Sequence, residues 1–264
     1  MTRVLVAAAT VVALSAQNPP QPAAPAAAPT CPEMATALQT VVRNDVRLRD
    51  WANIARYRED NRRLAAPAAG EARVVFMGDS ITDAWSNQER YGPFFPGKPY
   101  VGRGISGQTT PQMLIRFKPD VIDLKPKVVV ILAGTNDIAG NTGPMTDEEI
   151  EGNLASMADL AKAHGIKVVF SSIMPTAAYH ALPNAAPQST LRPMSRIIAI
   201  NDWMKKYGAA NGHVYLDYFT PMLDAKGLMR EDLTADDLHP TAAGYAIMAP
   251  LAEAAIQRAL AQTR

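Results

Sequence analysis

The chain has 264 residues, 48% of them hydrophobic, which is enough to bury one substantial core. Lys and Arg (26) nearly cancel Asp and Glu (25), leaving a net charge of +1 that excludes broad electrostatic capture of nucleic acid or of an anionic membrane. A single cysteine, Cys31, excludes an internal disulfide framework.

The first segment, MTRVLVAAATVVALSAQ, places basic Arg3 before an apolar run from Val4 to Leu14, with small residues at Ala13, Ser15 and Ala16. This pattern predicts a secretory signal peptide over residues 1–16, and the run is short for a membrane span. An uncleaved N-terminal anchor is the competing reading. The expected location is therefore periplasmic or extracellular, with no stable span after cleavage. Residues 17–33 are rich in Pro and Ala and read as a linker. Leu38, Val41, Val42, Leu48, Trp51, Ile54 and Ala55 then fall on one helical face, predicting one long amphipathic helix over 34–65.

Strands and helices alternate from there to the C-terminus. The strand candidates are RVVFM (73–77), YVG (100–102), VVVILA (128–133), KVVFSSI (167–173) and HVYLDY (213–218). Helical patterns cover 110–117, 147–164, 193–210 and 241–262. Short apolar strands without polar alternation belong to a parallel sheet covered on both faces, so the expected fold is a three-layer α/β/α sandwich with about five parallel strands. In such sheets ligands bind outside the carboxyl ends of the strands. Four polar blocks sit there: Gly-Asp-Ser ending at Ser80, GRGISGQTT (102–110), GTND (134–137) and DDLHPTAAGY (236–245).

The order and spacing of these blocks across 73–250 resemble the SGNH hydrolases, also called GDSL-type esterases and lipases. The resemblance implies a flavodoxin-like fold, a nucleophile at Ser80, a second-block glycine at Gly107, the Gly-x-Asn-Asp asparagine at Asn136, and Asp236 with His239 as the Asp-x-x-His pair. One departure is Gly102, where many relatives carry Asn, which bears on the substrate rim. The chemistry stands beside the resemblance. A serine hydroxyl needs a base, His239, and the imidazole needs a carboxylate to fix its tautomer. Asp236, three residues before His239, is preferred to the adjacent Asp237. Oxyanion donors are expected from the backbone amides of Ser80 and Gly107 and the side chain of Asn136.

Asp79 and Asp137 read as braces for their turns, and His164 and His213 as structural. Trp85, for which core packing is at least as strong a reading, Tyr179 and His180 are the candidates for substrate contact, the last two on a long Pro/Ala-rich loop over 175–193. The scattered histidines have no metal-ligand spacing, so neither a metal nor a cofactor is expected. GRGISG also satisfies the dinucleotide fingerprint, but it follows the second strand and lacks an acid closing the next one. The function read from the sequence is a secreted serine esterase that removes short acyl groups, acetyl foremost, from carbohydrate or other small esters. A lipase, lysophospholipase or thioesterase is the alternative, and a non-catalytic binding protein on the same fold a distant one. Oligomeric state is left open.

Overall fold

The computed structural model describes residues 30–180 and 185–262. The predicted signal peptide, most of the linker and part of the 175–193 loop lie outside the described residues. The chain divides into one unit up to Asn44 and another from Asp45 onward. Helix α1 (Cys31–Arg49) begins in the first, and Leu38 and Val41 of its predicted apolar face are exposed. No helix among the described residues is long and apolar enough to cross a membrane.

The single helix expected over 34–65 is interrupted. After Arg49 the Asp50 carboxylate accepts from the amides of Ile54 (2.7 Å) and Ala55 (2.9 Å), and Asn53 adopts a left-handed φ of 51°. Asp and Asn compete for backbone amides in this way and tolerate the left-handed region, so the apolar periodicity is overridden locally. A 3₁₀ turn (Ile54–Tyr57) and a short helix α2 (Arg58–Arg63) follow.

Five strands form one parallel sheet: β1 (Val74–Gly78), β2 (Tyr100–Gly104), β3 (Val128–Leu132), β4 (Lys167–Ser171) and β5 (Val214–Leu216), in spatial order β2-β1-β3-β4-β5. Each lies within two or three residues of its expected position. The intervening helices are α3 (Ser80–Asn87), α4 (Thr110–Asp120), α5 (Thr135–Ile138), α6 (Asp147–Ala163), α7 (Gln188–Leu191), α8 (Met194–Asn211) and α9 (Ala242–Ala261). Alternate strand residues feed two cores. Val75, Met77, Val129, Ile131 and Phe170 pack with apolar residues of α4, α6 and α8, whereas Val74, Phe76, Val130, Val169 and Leu216 pack with α3 and α9. The chain leaves β1 toward β2 on one side and returns to β3 on the other. That reversal opens a crevice at the carboxyl ends of β1 and β3.

A buried guanidinium braces this end of the sheet. Arg116, on α4, donates to the carbonyls of Gly78 (2.9 Å) and Arg103 (2.8 Å), to Gln108 Oε1 (2.5 Å) and to Asp120 Oδ2 (3.1 Å). Asn61 of α2 joins the same network through Asp120 and Arg103. Gly102, the departure noted above, pairs with Phe76 inside β2, where a Cβ would come within 2.2 Å of Ser86. It serves helix packing and lies away from the rim.

Replacing Arg116 by Met would leave Asp120 charged, buried and short of its main partner, and should cost about 3–5 kcal/mol in urea unfolding. Adding Asp120→Asn should recover part of that loss; a double variant as unstable as the sum of the singles would contradict the pairing.

Candidate active site

β1 ends in Gly78, and Asp79 caps α3 by accepting from the Ile81 amide at 3.0 Å. Ser80 is thereby the first residue of a helix whose amide end faces the crevice. Its Oγ lies 2.8 Å from His239 Nε2. His239 Nδ1 lies 2.6 Å from Asp236 Oδ2, and Asp236 Oδ1 accepts from the His239 amide at 2.7 Å and the Leu238 amide at 3.2 Å. Burial disfavours the Asp236 carboxylate, but the bonds from the imidazole and the backbone amides outweigh it and hold its pKa at about 2. An ionised Asp236 accepts a hydrogen bond from Nδ1–H, which keeps the proton on Nδ1, so neutral His239 presents a lone pair at Nε2 to the serine hydroxyl.

The two adjacent aspartates divide their work. Asp237, at a φ of 68° and buried, turns away from the ring and accepts from the amides of Tyr179 (3.1 Å) and His180 (2.7 Å) and pairs with His180 Nδ1 (3.0 Å). The geometry gives the imidazole to Asp236 and the 175–193 loop to Asp237. Tyr179 also donates its hydroxyl to Asp224 at 2.8 Å. Tyr179 and His180 are thus one aspartate removed from the His239 ring, and neither bonds to Ser80 or His239.

The second and third blocks meet beside Ser80. Ile105 N donates to Gly78 O at 3.0 Å, carrying the loop to Gly107, whose φ of 79° suits glycine. Asn141 Nδ2 donates to the Gly107 carbonyl (3.1 Å), and Asn136 Nδ2 to the Gln108 carbonyl (3.0 Å). Asp137 Oδ1 accepts from both the amide (2.9 Å) and hydroxyl (2.5 Å) of Thr110, locking the Asn136 turn to the start of α4. The Ser80 and Gly107 amides donate to no other group among the described residues. The arrangement can take a proton from Ser80 and can offer three N–H groups to a developing oxyanion.

Of the two readings of Trp85, substrate contact and core packing, the structure places it in the core. It is 5% exposed and packs on Phe76, Phe94, Phe95 and Tyr245 with ring centroids 5.0–6.1 Å away. Arg192 was missed. Buried at the end of the long loop, its Nε donates to Thr135 O (3.1 Å) and Oγ1 (3.0 Å), and its Nη2 reaches Asn136 Oδ1 at 3.4 Å. Its only sequence signal was a cation just ahead of a helix-opening proline. Asp79 is fully buried and its Oδ2 has no partner among the described residues. Burial pushes its pKa up to about 6, against the pull of the Ile81 amide, His239 and Arg192.

The model of the GDSL-like Lipase/Acylhydrolase family matches residues 76–247. The chain is similar to the crystal structure of a GDSL-like lipase from Bacteroides thetaiotaomicron, at 42% identity and a TM-score of 0.71, over 79% of this chain and 98% of that one. It is 27% identical over 192 residues to the platelet-activating factor acetylhydrolase IB subunit alpha2 of Rattus norvegicus, covering 71% of this chain and 77% of the relative. A 78-residue stretch is 37% identical to the lipoprotein YqeF of Bacillus subtilis, spanning 28% of this chain and only 32% of that protein. With the family's blocks gathered on one rim of its parallel sheet, the chain belongs to the GDSL-like lipase/acylhydrolase family of the SGNH superfamily and is a carboxylic ester hydrolase.

Proposed function

We propose that the protein is an exported serine esterase that removes short acyl groups, acetyl foremost, from carbohydrate or other small polar esters. The observation that carries the reading is the unbroken line Ser80 Oγ, His239 Nε2, His239 Nδ1, Asp236 Oδ2, with contacts of 2.8 and 2.6 Å. In the mechanism His239 takes the Ser80 proton as Oγ attacks the ester carbonyl. The oxyanion is met by the amides of Ser80 and Gly107 and by the free N–H of Asn136. Collapse expels the alcohol, which His239 protonates, and leaves acyl-Ser80. Water, activated by the same ring, then releases the acid and restores the serine.

The preference for short chains is supported by the aromatic cluster around Trp85, whose rings pack on one another with centroids 5.0–5.4 Å apart. The acetylhydrolase relative points the same way. Export is supported by the pattern of residues 1–16 and by the lipoprotein relative. Arg192 acts through Asn136, holding the turn that aims its amide.

An enzyme with an apolar acyl wall gains about 0.8 kcal/mol for each methylene it buries. This enzyme should gain little, so kcat/KM on p-nitrophenyl esters should be highest for acetyl or butyryl and fall at octanoyl. A steady rise with chain length would favour the lipase reading instead. The positioning role of Arg192 has its own test. Asn136→Ala should lower kcat by roughly 100- to 1,000-fold with KM little changed. Arg192→Ala should lower kcat by up to about 100-fold. The double variant should be no slower than Asn136→Ala alone; additive losses would show that Arg192 works independently of Asn136.

A further inference from the structure

A cleft of about 740 Å³ opens beside Gly107. One wall is the second-block loop, with Ser106 and Gly107; Asn141 stands at its margin; the opposite wall is the segment that interrupts the expected helix, including Trp51 and Asn53. That wall precedes residue 76, where the family match begins. It is firmly built. Gln112 Nε2 donates to the Trp51 carbonyl (2.7 Å), Gln108 Nε2 to the Ala52 carbonyl (2.6 Å), and the Tyr57 hydroxyl to the Gly104 carbonyl. The backbone is thus tied to the loop that carries Gly107, while the Trp51 side of it stays 42% exposed.

An exposed tryptophan on a backbone fixed by such bonds marks a binding surface better than a packing residue. Its surroundings decide the ligand class. Around Trp51 and Ile105 most lining residues are polar, Arg49, Asp50, Asn53, Ser106 and Asn141 among them, which suits neither an acyl chain nor a lipid tail. One flat apolar face ringed by amides and hydroxyls suits a pyranose, with its C–H face on the indole and its hydroxyls on the amides. Gly107 belongs both to this cleft and to the proposed oxyanion donors, so a ring lying here is continuous with an ester held at Ser80. We propose that the Trp51 cleft is a saccharide subsite that receives a sugar ring of an O-acylated oligosaccharide. This rests on the ester-hydrolase reading above and deepens it to a substrate class.

The test compares acetylated xylo-oligosaccharide with p-nitrophenyl acetate for wild type, Trp51→Ala and Trp51→Phe. Trp51→Ala should lower kcat/KM for the oligosaccharide about tenfold more than for p-nitrophenyl acetate, with the difference in KM. Trp51→Phe, which keeps a ring and guards against a folding defect, should fall between. If wild type hydrolyses both substrates and the ratio does not move in either variant, the subsite is overturned and the esterase reading survives. If wild type cleaves p-nitrophenyl acetate but not the oligosaccharide, the subsite is overturned as well. If it cleaves neither, the esterase reading itself fails.

Discussion

A contact of 2.8 Å between Ser80 Oγ and His239 Nε2 joins two residues 159 positions apart, and much of the structure can be understood as the means of holding it. The serine side is fixed by β1, which is buried along its whole length, and by the Asp79 cap that starts α3 on the next residue. The histidine side is a loop closed on itself. The Thr241 amide donates to Leu233 O at 2.8 Å, and Thr234 bridges to Pro240. A single buried hydroxyl then joins the two sides, because Tyr245 on α9 donates to Ile81 O on α3 at 2.8 Å. Proton transfer is sensitive to tenths of an ångström, and these local ties supply that tolerance where the hydrophobic core alone would not.

The same end of the sheet carries an unusual load of buried charge. Arg116, Asp120, Arg192, Asp79 and Asp137 are all nearly or fully buried there. Two carboxylates near the nucleophile, half-exposed Asp236 and buried Asp79, pull on stability in opposite senses. Asp236, held at about 2 against an ordinary 3.8, contributes stability that is present above 3.8 and is lost as pH falls through about 2. Asp79, raised to about 6, works against folding once it ionises, a burden that builds as pH rises from 3.8 through about 6. The orphaned Oδ2 of Asp79 is the local sign of that burden, directly beside the nucleophile. Strain of this kind is tolerated where the surrounding structure over-determines the geometry, as the Arg116 and Tyr245 ties do here.

What the sequence made legible follows from the range of the forces involved. The strands were readable because parallel strands buried on both faces need unbroken apolar runs such as Val128–Leu132. The site blocks were readable because chemistry demands particular residue types at strand ends. The break at Asp50–Asn53 was not, since the apolar period continues through it and only a side-chain capture of two amides ends the helix. Trp85 was ambiguous for a related reason: an aromatic at a helical spacing serves core and pocket equally well, and only the neighbouring Phe94, Phe95 and Tyr245 decide. Arg192 and Trp51 owe their positions to contacts with residues more than fifty positions away, which no local pattern carries. The choice between Asp236 and Asp237 was made on spacing; the structure adds what Asp237 does, which is to anchor the Tyr179–His180 loop.

The central claim is that His239 makes Ser80, and no other hydroxyl, nucleophilic. Reaction with a fluorophosphonate followed by peptide mass mapping tests it most directly. The account predicts one adduct, on Ser80, formed rapidly in the wild type and far more slowly in His239→Ala. An adduct on another residue with Ser80 unmodified, or labelling of Ser80 at an unchanged rate in His239→Ala, would contradict it.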